Sequence, residues 1–166
     1  MSAERGARSF ATACAVALVA SACGTPTNKC GPTSGTVVNV VDGDTLDLGS
    51  GERIRLLNVD TPETTGGKND CYGQQAKTFT SDTVLNKTVT IVYDAECTDR
   101  YGRLLAYVSV GAVELNHALV EQGYACEYTL PPSGATRRTE FEDLESVAKT
   151  NRTGLWGACT TVTCGQ

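Results

Sequence analysis

Three short segments of the sequence bring carboxylates and arginines to places where strands are expected to end. They are residues 42–45, residues 55–64 and residues 98–103. Each segment alone has an ordinary interpretation, because Asp-Gly-Asp is a common hairpin turn, Asp-Thr-Pro-Glu can cap a helix, and an arginine in a loop is often only solvated. Their joint presence in one small chain favours a shared site.

The first chemistry that these segments suggest is the binding of a hard divalent cation. Asp44 and Asp60 supply carboxylate oxygens, and the backbone carbonyl of Thr61 is the kind of ligand that completes a calcium shell together with water. Pro62 restricts Thr61 to an extended backbone and stiffens the loop. Because carboxylate and carbonyl oxygens suit hard rather than soft metals, the sequence predicts a hard divalent cation, for which Ca²⁺ is a suitable ion.

The same segments contain the groups that phosphodiester hydrolysis requires. Glu63 lies three residues after Asp60 and can act as a general base on the attacking water. Arg55 and Arg103 carry planar guanidinium groups that match phosphate oxygens, so they can bind a diester and stabilise the charge that grows at phosphorus. One cation, one base and two arginines are sufficient for this reaction.

The elements that must position these residues begin with strands. From residue 35 to residue 59, β-branched and aliphatic residues form strand patterns, with breaks at residues 42–43 and 49–51 that suit tight turns. Further strands are expected at residues 88–93 and 103–110, separated by a polar loop.

Apolar residues at helical spacing predict helices at residues 74–86, 114–122 and 139–150. Gly123 is expected to end the second helix, and Thr139 to cap the third. The order of elements predicts an α+β domain in which short antiparallel strands form a small barrel and helices close it.

The N-terminal residues have the layout of a secretory signal peptide, with Arg5 and Arg8 before an apolar run at residues 10–20. This run is far shorter than the roughly 20 residues that a membrane-spanning helix needs. Cleavage can fall after the small residues 20–22, or before Cys23 with lipid attached to its thiol. We therefore expect four parts, which are a signal peptide (1–22), a flexible tether (23–34), the folded domain (35–158) and a cysteine-containing tail (159–166).

The chain has eight cysteines, and Cys14 would leave with the signal peptide. If Cys23 carries lipid, an even set of six remains, which can form three disulfides in an oxidising compartment. The connectivity stays open: Cys159 and Cys164 can bond to each other, or one of them can reach Cys30. A zinc site is disfavoured, because no two cysteines form a C-x-x-C pair and the only histidine lies far from them in sequence.

The net charge is unfavourable for a protein that binds nucleic acid. It is −5 for the full chain, and it becomes −6 without Glu4, Arg5 and Arg8, because 12 basic residues then face 18 acidic ones. Non-specific nucleic-acid binders usually present a basic surface. A nuclease of this composition must rely on a locally positive site, and weak, salt-sensitive substrate binding is expected.

Four runs of sequence resemble the staphylococcal nuclease family, in the same order and over about residues 35–156. They are VVDGDTLDL, IRLLNVDTPET, TDRYGRLLAYV and NHALVEQGYA. The resemblance implies a five-stranded OB-type β-barrel with about three helices, and hydrolysis of DNA and RNA with little sequence preference that leaves 3'-phosphates.

By the same resemblance, calcium is held by Asp44, Asp60 and the Thr61 carbonyl. Catalysis is assigned to Arg55, Glu63 and Arg103. Arg100 and Tyr101 match a basic and an aromatic residue that hold the nucleotide. The later substrate-facing tyrosines of the family fall in a region where this sequence departs from the pattern, and Tyr128 is the candidate replacement for one of them.

Three interpretations of function follow. The first is an exported, monomeric, calcium-dependent nuclease, secreted or attached to the cell envelope through lipid on Cys23. The second is an OB-type module that binds nucleic acid without cutting it, although such a module would be expected to lack Glu63 or one of the arginines. The third is an envelope lipoprotein that contacts another protein. Outside the site, His117 is expected to lie at the surface, and Tyr124 and Trp156 to pack against the core.

Overall fold

A computed structural model describes residues 30–164 of the chain. The expected signal peptide, most of the tether including Cys23, and residues 165–166 lie outside the described residues. Among the described residues, no helix is long and apolar enough to span a membrane.

Five strands form a closed ring. Strands β1 (Ser34–Asp42), β2 (Thr45–Leu48) and β3 (Arg53–Leu56) form an antiparallel meander, and β4 (Thr88–Thr98) pairs with β5 (Leu104–Val110). Strand β1 also pairs with β4, and β3 pairs with β5 in parallel. Because the β3–β5 contact joins the two edges of the five-stranded sheet, the structure has the closure expected of an OB-type barrel.

A short strand and four helices complete the fold. They are β6 (Val113–Glu114), α1 (Gly73–Val84), α2 (Leu115–Glu121), α3 (Arg138–Asn151), which follows a 3-10 turn at Ala135–Arg137, and α4 (Leu155–Ala158). The helices bury apolar side chains against the barrel, and Leu115, Leu119 and Phe141 have no exposed surface. This burial supplies the main stabilisation of the domain.

Most of the predicted boundaries are confirmed. Strand β1 ends at Asp42 and β3 begins at Arg53, at the two expected turns. Gly123 follows α2 with a φ of 66°, in the left-handed region where glycine has no steric penalty.

Two local predictions are wrong. Residues 94–98 continue β4 instead of forming a loop, because Thr98 pairs with Leu104 and the Ser133 hydroxyl accepts a hydrogen bond from the Glu96 amide. These partners are not visible in the local sequence. Thr139 lies inside α3 and does not cap it, because the preceding 3-10 turn shifts the N-cap position to Arg137.

Neither expected cysteine pairing occurs. The six cysteines of the described region form three disulfides, which are Cys30–Cys97, Cys71–Cys159 and Cys126–Cys164. Helix α4 carries Cys159 to the start of α1 rather than towards Cys164, and the tail continues to Cys126. The partners are 67, 88 and 38 residues apart, so local sequence cannot specify them.

Candidate active site

One cavity of about 640 Å³ lies where the β1–β2 turn, the segment after β3 and the β4–β5 turn meet. All nine residues that the sequence singled out contribute to its lining. They are Asp44, Arg55, Asp60, Thr61, Glu63, Arg100, Tyr101, Arg103 and Tyr128. The fold therefore brings four separate segments of the sequence to one concave surface, the fourth being the loop that carries Tyr128.

The β1–β2 turn fixes Asp44 against the segment that follows β3. Asp44 is 5% exposed, and its Oδ2 accepts hydrogen bonds from the Thr61 amide at 2.8 Å and the Thr61 hydroxyl at 3.1 Å. The approach is close because of Gly43, where an added Cβ would lie 2.6 Å from Thr61 Cγ2 and 2.9 Å from Ala76 Cβ. Glycine at this position thus sets the distance between the two carboxylate-bearing segments.

Arg55 lies between the two acidic residues that were predicted to bind a cation. Its Nη2 is 2.8 Å from Asp60 Oδ1, and its Nη1 is 3.3 Å from Asp44 Oδ2. Nη1 also donates to the backbone carbonyls of Leu56 and Val59, at 3.0 and 2.5 Å. Because the Arg55 side chain is only 12% exposed, these contacts hold its guanidinium in a defined orientation at the cavity wall.

Carboxylates outnumber cationic groups in this part of the cavity. Asp42, Asp44, Asp60 and Glu63 line this part of the cavity together with Arg55, whose guanidinium pairs with Asp44 and Asp60. Burial, together with the neighbouring Asp44, raises the pKa of Asp42 from its ordinary value of 3.8 to about 7. The negative charges of Asp44 and Glu63 therefore oppose the ionisation of Asp42.

The oxygen donors of this region fit a hard cation. No group of three or more acidic, histidine or cysteine side chains within residues 30–164 forms a metal cluster by itself. A cation would therefore depend on the Asp44 and Asp60 carboxylates, the Thr61 carbonyl and water, which is a donor set suited to calcium.

Glu63 is held by its own loop. Its Oε1 accepts hydrogen bonds from the Thr64 amide (3.2 Å), the Thr65 amide (3.1 Å) and the Thr65 hydroxyl (2.5 Å). The backbone of Glu63 also exchanges two hydrogen bonds with Asp70, at the other end of the loop. The carboxylate is thus oriented through one oxygen, which leaves the other for a proton transfer.

The β4–β5 turn orients Arg103. Gly102, with a φ of 79°, allows the tight turn, and Arg103 Nε donates to Asp99 Oδ2 at 2.7 Å. Burial raises the pKa of Asp99, but hydrogen bonds from Arg103 and from the Tyr101 amide outweigh this and keep the pKa below its ordinary value. Asp99 therefore remains charged and holds the guanidinium in place.

An exposed cationic and aromatic rim borders the same turn. The Arg100 guanidinium lies 4.8 Å from the centre of the Tyr101 ring, and Tyr101 is 69% exposed. Tyr128 and Leu130 line the cavity from the loop before the 3-10 turn. Exposed rings beside arginines are suited to stacking with nucleobases.

Several structural residues of the site were not recognised in the sequence. Asp99 could have been, because it stands four residues before Arg103 in a turn. Asn58 could not: its amide donates to the Thr129 hydroxyl at 2.5 Å and the Gly134 carbonyl at 3.0 Å, across more than 70 residues. Through these hydrogen bonds, Asn58 connects the segment that carries Tyr128 to the residues that follow β3.

The three residues expected to lie outside the site do so. His117 is partly exposed, with Nδ1 3.7 Å from Glu121. Tyr124 stacks on Phe79 with ring centres 4.3 Å apart, and the Lys149 ammonium lies 4.6 Å from the Trp156 ring. None of them contributes to the cavity lining.

The fold and the cavity together define the class of protein, which is an OB-type barrel of five strands with acidic residues and arginines gathered in one cavity. The model of the staphylococcal nuclease homologue family matches residues 53–158. The chain belongs to this family.

Individual relatives agree with this assignment. The chain is 37% identical over 125 residues to the thermonuclease of Staphylococcus intermedius, an alignment that covers 72% of this chain and 74% of the relative. It is 39% identical over 94 residues to the thermonuclease of Staphylococcus hyicus, covering 54% and 56%. An uncharacterised protein of Methanocaldococcus jannaschii is 38% identical over 149 residues, covering 74% and 70%. Family membership supports nuclease activity for this chain.

Proposed function

We propose that the protein is an exported calcium-dependent nuclease that hydrolyses phosphodiester bonds of DNA and RNA and leaves 3'-phosphates. The observation that carries this proposal is the convergence of Arg55, Glu63 and Arg103 on one cavity beside Asp44 and Asp60. The names of the staphylococcal relatives agree with it.

Asp44, Asp60 and the Thr61 carbonyl would hold calcium, which would supply positive charge to the phosphate. Arg55 pairs with both of these carboxylates, and its guanidinium would contact the phosphate beside them.

The residues of the chain have separate roles in the proposed reaction. Arg100 and Tyr101 bind the nucleotide, with Tyr128 on the opposite wall, and Arg55 and Arg103 contact the phosphate. Glu63 accepts a proton from water as the water oxygen attacks phosphorus. The bond from phosphorus to the 5'-oxygen breaks, and the 5'-oxygen takes a proton from solvent and leaves as a hydroxyl. The phosphate therefore stays on the 3'-oxygen of the preceding nucleotide. Both arginines stabilise the charge that develops on the phosphate oxygens.

Export is supported by the three disulfides, because such bonds persist in oxidising compartments. Attachment through lipid on Cys23 and a monomeric state are part of the same proposal. Mass measurement of the mature protein from its host tests the lipid, and sedimentation tests the oligomeric state.

The experiment that tests the function is cleavage of single-stranded DNA, duplex DNA and RNA by the purified oxidised protein. Calcium, magnesium and a chelator are compared, and the ends of the products are analysed. Calcium-dependent cleavage that leaves 3'-phosphates is expected. Binding of the oligonucleotides without cleavage under any of the conditions would favour the binding module instead.

A further inference from the structure

Each of the three disulfides joins a terminal segment to a segment that holds the cavity. Cys97 directly precedes the turn with Asp99 and Arg103 and is bonded to Cys30 near the N-terminal end of the described residues. Cys71 directly follows the Glu63 loop and is bonded to Cys159 after α4. The third disulfide joins Cys126, the bridge partner of Asp60, to Cys164.

The Glu63 loop depends on the contacts at its base. The Asp70 amide donates to the Glu63 carbonyl at 2.9 Å, and the Glu63 amide donates to Asp70 Oδ2 at 3.3 Å. At its tip, Gly66 and Gly67 have open space where a side chain would stand. Because the tip has so little to pack against, the position of Glu63 is determined where Asp70 and Cys71 attach the loop to the domain.

The β4–β5 turn has a similar attachment on its other side. Residues 30–33 run beside β4, where the Tyr93 hydroxyl donates to the Pro32 carbonyl at 2.8 Å and the Ile91 amide donates to the Thr33 carbonyl at 2.8 Å. The Cys30–Cys97 bond fixes the end of this segment to the base of the turn. The turn carries Arg100, Tyr101 and Arg103, the groups proposed to bind the substrate.

We propose that these two disulfides position different parts of the same reaction. The Cys71–Cys159 bond positions the general base Glu63 and so controls turnover. The Cys30–Cys97 bond positions the arginine-bearing turn and so controls substrate binding. This inference rests on the proposed nuclease function.

A purely structural role predicts a different pattern. The two disulfides close loops of 88 and 67 residues. Because the entropic stabilisation by a disulfide varies with the logarithm of loop length, both bonds should stabilise the domain to nearly the same extent. Their removal would then lower activity in parallel, through the same loss of folded protein.

The test compares the oxidised wild type with the C71S/C159S and C30S/C97S variants, in calcium-dependent cleavage of a single-stranded DNA oligonucleotide. Rates are measured well below the unfolding midpoint of each variant, as determined by circular dichroism. Since small displacements of a reacting group cost up to about 100-fold in rate, we expect kcat to fall by roughly 10-fold or more in C71S/C159S with little change in KM. In C30S/C97S we expect KM to rise by a comparable factor, with some loss of kcat because Arg103 lies on the same turn, whereas no such rise in KM is expected in C71S/C159S.

A further variant tests the role of the Glu63 loop even if the cysteine variants do not fold. Asp70→Ala leaves all three disulfides intact and removes the side-chain acceptor of the Glu63 amide, so it should lower kcat without changing KM. Asp82→Ala, at an exposed aspartate of α1, is its matched control and should leave both constants unchanged.

Two outcomes overturn the inference and are distinguishable from each other. If the wild type cleaves but the two disulfide variants change kcat and KM in parallel, or not at all, the positioning roles are wrong and the nuclease function stands. If the wild type does not cleave, both proposals fall together.

Discussion

The carboxylates of the cavity have different surroundings, and these surroundings suit different tasks. Asp44 is buried and accepts hydrogen bonds through both oxygens, from Thr45 and Thr61. Glu63 accepts all of its described hydrogen bonds through Oε1. A carboxylate that is saturated with donors is a poor proton acceptor, whereas one with a free oxygen can accept a proton. The structure therefore favours Glu63 for the role of general base.

Glu63→Gln tests this assignment. The neutral amide retains an oxygen for the Thr65 hydrogen bonds but cannot accept a proton, so kcat should fall by about 10²–10⁴-fold while the fold is preserved. Steady-state cleavage rates and thermal unfolding curves of the variant would be compared with those of the wild type. Turnover equal to that of the wild type would remove Glu63 from its role.

Turns and loops, rather than the strands, determine how the site is assembled. Gly43 allows the β1–β2 turn to approach Thr61, and the turn after β4 contributes Asp99 and Arg103. The sequence predicted the first turn from Asp-Gly, which is a strong local signal, and it placed the second within a longer polar loop before residue 103. It did not predict the extension of β4 or the disulfide pairs, because their partners are distant in sequence and local residue patterns do not encode them.

Gly43→Ala should destabilise the domain by about 1–3 kcal/mol, because the added methyl group overlaps Thr61 Cγ2 and Ala76. Thr61→Ser removes Cγ2 and retains the hydroxyl that binds Asp44. The double variant should therefore recover part of the loss. Chemical denaturation of the four proteins in this cycle measures the coupling, and strictly additive effects would contradict the proposed overlap.

Arg137 links three elements, because it pairs with Glu114 and Glu140 and lies 4.4 Å from the centre of the Tyr107 ring. Arg137→Ala should cost about 1–3 kcal/mol of stability at neutral pH. Arg138→Ala is the matched control, since Arg138 forms an exposed pair with Glu142 and should contribute much less to stability than Arg137.

The effect of Arg137→Ala should also depend on pH. Hydrogen bonding to Arg137 lowers the pKa of Glu140 in the folded state. The stabilisation from this pair is therefore present above the ordinary pKa of a glutamate and is lost as the pH falls through the lowered value. Unfolding free energies at neutral and acidic pH should show the difference between wild type and variant shrinking in acid. If the difference in unfolding free energy did not change with pH, Arg137 would stabilise the domain through its contact with the Tyr107 ring rather than through the Glu140 pair.

On the scale of the whole molecule, acidic residues outnumber basic ones. The full chain has a net charge of −5, and the cavity is lined by three arginines, Arg55, Arg100 and Arg103, beside carboxylates that outnumber them. The sequence predicted the barrel and the convergence of all nine site residues, because family motifs and turn signals are preserved in order. The wall that carries Tyr128 was less predictable, since long-range contacts of Asn58 and Ser133 determine its position.

Substrate affinity should depend on salt to a limited extent. With about three phosphate contacts, the logarithm of the affinity for single strands should fall with the logarithm of salt concentration with a slope near −2. Fluorescence anisotropy of a labelled oligonucleotide, with the inactive Glu63→Gln variant, measures this slope. A slope several times steeper would indicate a basic surface beyond the cavity.

The central claim is that this cavity is the active site, and strand β3 offers a matched pair of residues to test it. Arg55 lies in the cavity between Asp44 and Asp60, whereas Arg53, two residues earlier, is half exposed and pairs with Asp47. Both arginines are changed to lysine, which keeps the charge and removes the planar fork. The single-turnover rate of DNA cleavage with calcium is then measured. Arg55→Lys should lower the rate by at least about 100-fold, and Arg53→Lys should leave it unchanged. Equal rates for the two variants would contradict the claim.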